Sequence, residues 1–87
     1  MKEIKLSDFI RFKDGRRFCI VCQKMIGDRH FALALPVYEK EEDIAKAEMV
    51  ILESTILEDG NQGTREYPKE YKDYQEIKNT LLENAKI

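Results

Sequence analysis

Two cysteines stand three positions apart, Cys19-Ile20-Val21-Cys22, and no other spacing in the chain is closer to a chemical motif. A redox pair of this spacing needs a helix N-terminus, which lowers the thiol pKa and turns the sulfurs toward each other. Here the flanks are strand-like. Positions three apart in an extended strand are separated by about 10 Å and point to opposite faces, whereas a disulfide needs Cα atoms within roughly 4.4–6.8 Å. As part of a zinc site the pair has only His30 as a further soft ligand, one short of the four a structural zinc takes. The reading is two buried or half-buried structural cysteines and no metal, with redox or metal work as the competing use.

The remaining polar residues are weaker candidates. His30 falls beside a turn with no nucleophile or carboxylate at a recognisable spacing, which makes it a surface or turn histidine and leaves no catalytic set. Glu39, Glu41, Glu42 and Asp43 lack the glycine and the alternate-residue spacing of a calcium loop and read as a solvated acidic loop. Arg11, Lys13, Arg16, Arg17, Lys24 and Arg29 could form a basic patch on which Phe9 or Phe12 stacks a base, so nucleic-acid binding is the alternative function, with Arg11, Lys13, Arg16 and Arg17 as its contacts. Tyr38, Tyr67, Tyr71 and Tyr74 are amphipathic rings suited to an interface or to capping a small core.

The elements that must position these residues centre on Phe18 to Leu35, two apolar runs either side of Gly27-Asp28-Arg29, which is a hairpin signal. On the second run Phe31, Leu33 and Leu35 share one face and Ala32 and Ala34 the other, as in a strand with one face in the core and something close against its back. Asp8 to Lys13 precedes it as a strand with Ile10 and Phe12 inward and Phe9 outward, joined through Asp14-Gly15 by a two-residue type I′ turn. Pro36 ends the third strand. Tyr38 to Lys46 is an exposed loop with room for one helical turn. Ala47 to Glu58 is a long strand, apolar on both faces: Met49, Ile51 and Leu57 on one, Val50, Leu52 and Ile56 on the other. A strand of that kind is central, bent or part of an oligomer contact. Asp59 to Gly63 is a turn, Thr64 to Tyr67 a short final strand, and Asp73 opens a C-terminal helix through a capping box with Glu76. Tyr74, Ile77, Leu81, Leu82 and Ala85 form the apolar stripe of that helix. Met1 to Leu6 is a charged lead-in.

The 87 residues make one domain, residues 1–87, with room for one sheet and one or two helices. A net charge of −2 gives no global pull toward nucleic acid or membranes. It hides an asymmetry: residues 1–30 carry eight Lys and Arg against four Asp and Glu, and residues 31–60 carry two against eight. No run approaches the ~20 apolar residues of a membrane span, and the first residues lack the apolar core of a signal peptide. With only two cysteines there is no disulfide framework, so a reducing, cytoplasmic setting is expected.

Lys13-Asp14-Gly15, Phe31 to Pro36, Val50 to Glu53 and Asp73 to Leu81, in this order, resemble the YrzB-like family of small bacterial proteins of unknown function. The resemblance implies a bacterial cytoplasmic protein with no assigned catalytic residue. The basic first third and the cysteine pair depart from the strongly acidic pattern of such proteins. The expected fold is α+β: a curved antiparallel sheet of four to five strands that starts as a meander, with one C-terminal helix. The expected function is a non-enzymatic protein-interaction or regulatory module without a cofactor. It would contact a protein partner or a second copy of itself through Val50, Leu52, Tyr67, Tyr71 and Tyr74.

Overall fold

The computed structural model describes residues 6–56 and 58–85. The lead-in Met1 to Lys5 and the facing of Leu57 lie outside the described residues. Five strands follow one another as an antiparallel meander: β1 (Phe9–Arg11), β2 (Arg17–Ile26), β3 (Arg29–Pro36), β4 (Val50–Ile56) and β5 (Gln62–Glu66), in spatial order β1-β2-β3-β4-β5. A four-residue helix, α1 (Glu41–Ile44), interrupts the β3–β4 link, and α2 (Tyr74–Ala85) closes the chain. This is the expected α+β architecture, with the sheet curled.

Turn chemistry sets the meander. Gly27 adopts φ +65° and, among the described residues, no non-glycine has positive φ, so Gly27-Asp28 is a two-residue turn of the II′ kind, linking Ile26 to Arg29. The same rule excludes a type I′ turn at Asp14-Gly15, which would need positive φ at both residues. The Phe12 N–H instead donates to the Arg16 carbonyl (2.8 Å) and the Gly15 N–H to the Phe12 carbonyl (3.0 Å). Lys13-Asp14-Gly15 is therefore a three-residue loop with its glycine, φ +95°, in the left-handed bulge position. Asp14 accepts from the Arg16 backbone and side chain, which holds its carboxyl below the usual range.

The sheet buries both faces. On its outer face Phe31, Leu33, Ile51 and Tyr67 pack under Tyr74, Ile77 and Leu81 of α2. On its inner face Phe18, Ala32, Ala34, Val50 and Leu52 enclose Leu6, with Ile10, Phe12 and Ile20 at the margin. The alternation along β3 explains the pairing. Its large side chains meet the helix, and its alanines leave room for the sheet to curl onto itself. β4 is shorter than the sequence pattern, starting at Val50 rather than Ala47, but it carries both faces as expected.

Two sequence expectations change here. Val50 and Leu52 (8% and 0% exposed) belong to the inner core of their own chain, because they sit in register with Ala34 and Ala32 on the closed face. They offer no surface to a partner. His30 is also buried, at 1% exposure, not a surface histidine. It shares the inner parity of Ala32 and Ala34 and pairs with Ser54 across the sheet.

Candidate functional site

The most developed polar constellation lies on the outer face where α2 begins. Glu53 is directly opposite Phe31 on one side and Arg65 on the other. Its carboxylate is almost completely buried, and each oxygen accepts from one guanidinium: Arg29 Nε at 2.9 Å and Arg65 Nη2 at 3.0 Å. Burial pushes the Glu53 carboxyl up, but the two guanidinium hydrogen bonds outweigh it, and the group stays below its usual range. Arg29 lies over the Phe31 ring (4.7 Å) and the Tyr67 ring (5.6 Å). The Tyr67 hydroxyl donates to Asp73 Oδ1 at 2.6 Å, and this bond raises its pKa. Asp73 Oδ2 stands 3.9 Å from Arg29. Asp73 precedes the helix as expected, and its carbonyl accepts from Ile77, but its side chain binds Tyr67 in place of the expected capping-box exchange with Glu76.

This arrangement ties the start of α2 to the sheet. Two cations occupy both oxygens of Glu53 and favour its ionised form, and the bond to Asp73 favours the neutral Tyr67 hydroxyl. Tyr67 and Tyr74 are buried in this packing, which removes them from the expected interaction surface. Tyr71 alone of that set is well exposed (47%), edge-on to Tyr67 with ring centroids 5.0 Å apart. Sequence reasoning missed Glu53 and Arg65. The available signal was a carboxylate on the same strand face as Ile51, directly after the apolar run Val50 to Leu52.

The cysteines differ from each other. A β-bulge between Ile20 and Cys22 inserts Val21 as an extra residue, so that Cys19 pairs with Leu35 and Cys22 with Leu33. Both thiols thereby share the outer face, not opposite faces. They stay two ladder steps apart, about 6.6 Å, at the limit for a disulfide and with their Cβ atoms side by side. Both are free. Cys22 is half-buried and donates to the Leu81 carbonyl at 3.2 Å, and burial raises its pKa. Cys19 is exposed, contrary to expectation, because α2 does not reach over it. His30 is on the opposite face of the sheet. Among the described residues no three His, Cys, Asp or Glu side chains converge as a metal site.

Buried His30 belongs to a polar plug on the inner face. Gln23 Oε1 accepts from the Leu6 N–H (2.7 Å) and lies 3.0 Å from His30 Nε2, while Gln23 Nε2 donates to the Leu6 carbonyl (2.9 Å). An amide oxygen only accepts, so Nε2 carries the imidazole proton. Nδ1 is then a buried acceptor with no partner among the described residues. Burial lowers the His30 pKa.

The basic residues do not gather into one patch. Arg16 pairs with Asp14 (2.9 Å) and Glu66 (3.7 Å), Arg17 with Glu39 (3.6 Å), and Arg29 with Glu53. Arg11, Lys13 and Lys24 are exposed, and Arg11 and Arg17 stand directly opposite each other on β1 and β2. Phe12 is half-buried against Phe18 with Arg16 over its ring, which removes it as a base-stacking platform. Phe9 is different. It pairs with Cys19, which pairs with Leu35, so the three form a row across β1, β2 and β3 on the outer face, with Val21 exposed nearby. Phe9 and Val21 are 49% exposed and Leu35 39%.

The acidic residues Glu41, Glu42 and Asp43 lie on α1 and are solvated, as expected of that loop. No helix among the described residues is long and apolar enough to cross a membrane. No family model, no curated protein and no solved structure matches the chain.

Proposed function

We propose that the protein is a non-enzymatic interaction module whose contact surface is the uncovered end of the outer face. The observation behind this reading is the row Phe9–Cys19–Leu35 with Val21 beside it, large apolar side chains that the protein's own helix leaves in solvent. Contiguous exposed apolar groups of this kind mark contact sites. Arg11 and Arg17 at the margin favour a partner with an acidic rim. A small bacterial cytoplasmic protein of the YrzB-like kind is the setting this proposal assumes, and a second copy of the chain is one partner it admits.

The exposed Cys19 thiol provides the test. A photo-crosslinker attached there to the Cys22→Ser protein, which keeps one thiol, should capture a protein partner. The additional changes Phe9→Ser and Leu35→Ser should abolish capture without altering the circular dichroism spectrum. Capture that survives both substitutions removes this surface from consideration. The second reading, nucleic-acid binding, is favoured by one observation: like charges directly opposite on a sheet repel, and Arg11 and Arg17 stand so beside exposed Phe9. Retention of a single-stranded oligonucleotide that falls steeply with salt would support it, and no retention at low salt would end it.

A further inference from the structure

The first and last strands of the sheet leave a seam. A five-stranded meander makes β1 and β5 run in the same direction, so direct closure would require parallel pairing, whereas one more strand between them would be antiparallel to both. A cleft of ≈ 630 Å³ lies there, walled by Ile10 to Asp14 on one side and Gln62 to Thr64 on the other. Its size is within the range of ligand sites.

The phase of the ladders identifies the groups that face it. The Phe12 N–H and Asp8 carbonyl bond to β2, so the backbone groups of Phe9 and Arg11 point away from β2. The Tyr67 N–H bonds to the Ile51 carbonyl, so those of Gln62, Thr64 and Glu66 point away from β4. Among the described residues these two backbone edges have no partner strand, and they flank one cleft, each a template for an added strand.

We infer that this seam binds an extended peptide segment of a partner protein as a sixth, antiparallel strand, and that the segment alternates apolar with acidic residues. The alternation comes from the walls. Inward-facing side chains of such a strand meet Ile10 and Phe12, which are half-buried members of the inner core. Outward-facing ones stand beside Arg11 on β1, with Lys13 just beyond it, both exposed, and across from Arg65 on β5, whose guanidinium is already held by Glu53. The anions at this end, Asp14 and Glu66, are already paired with Arg16. Main-chain bonds supply affinity in this mode and alternate side chains supply selectivity. The seam shares β1 with the Phe9–Leu35 row but uses the free backbone edge of Phe9 and Arg11 and not the Phe9 ring, so the inference does not rest on that row.

The probe is a short capped peptide alternating glutamate with valine, added to the full chain and followed by amide NMR. Binding should slow exchange at the Phe9, Arg11, Thr64 and Glu66 amides and weaken as salt rises. Replacing the peptide's glutamates by lysines, or methylating its alternate backbone nitrogens, should each weaken binding by about tenfold or more. The methylated peptide tests the main-chain bonds without altering the protein. Equal binding of the methylated peptide, no binding at millimolar peptide, or shifts confined to Cys19 and Leu35 would overturn the inference. So would slow exchange of those amides in the free protein, because the seam would then be filled by the chain's own lead-in or, if the protection grows with protein concentration, by a second copy.

Discussion

The outer face of the sheet has two halves built from the same strands. Phe31, Leu33 and Ile51 are covered by α2 and tied to it through the Arg29–Glu53–Arg65 group and the Tyr67–Asp73 bond. Leu35, two residues beyond Leu33 with the same side-chain parity, is in solvent beside Cys19 and Phe9. Strand pattern is identical in the two halves, and only the reach of a 12-residue helix divides them. A hydrophobic strand face therefore does not state whether it is core or contact surface. The covering element decides, and here it stops short.

Substitutions test this division, the largest effects first. A lysine at Leu52 should cost more than about 4 kcal/mol and unfold the domain, since it buries a charge among alanines and Phe18. The matching change Phe9→Lys should leave the urea midpoint almost unmoved. Leu81→Ala removes the helix side chain that seals the covered half and should cost about 3 kcal/mol, with dye binding showing newly exposed apolar surface. Glu53→Ala should cost about 2 kcal/mol, less than for a fully buried pair, because Arg29 and Arg65 are each partly in water and rehydrate.

Acid should weaken the two faces of the sheet at different pH. His30 titrates lower in the folded chain than in the unfolded one, so its contribution is complete above about pH 6.5 and is lost as pH falls toward the folded value. His30→Leu should flatten that part of the stability curve. Glu53 also titrates lower when folded, so its contribution is complete above about pH 4.3 and disappears at more acid pH. Denaturant titrations from pH 8 to pH 3 should show both steps, and only the second should vanish in Glu53→Ala. The smallest effect is at the uncovered half: Cys19→Ser should change stability by less than about 0.5 kcal/mol.

Much of this architecture was legible in local pattern. The β2–β3 hairpin, the meander, the turn after β4 and the stripe of α2 each follow from turn residues and side-chain period, which are properties of a few adjacent positions. The elements that escaped depend on partners distant in sequence. The Asp73 side chain has the local form of a helix cap, yet the Tyr67 ring places a hydroxyl on it. Glu53 looks like one charge in an apolar strand until Arg29 and Arg65 arrive from the two neighbouring strands. Val21 is an ordinary β-branched residue, and its insertion as a bulge turned both cysteines to one face.

The sequence by itself determined the order of elements, their type and the two-faced character of β3 and β4, because period and turn chemistry act over a few residues. Tertiary structure alone decided which face is sealed. Curling of the sheet put Val50, Leu52 and His30 inside, and the length and docking of α2 left Phe9, Cys19 and Leu35 outside. Burial is a relation between segments brought together by folding, and no single segment carries it.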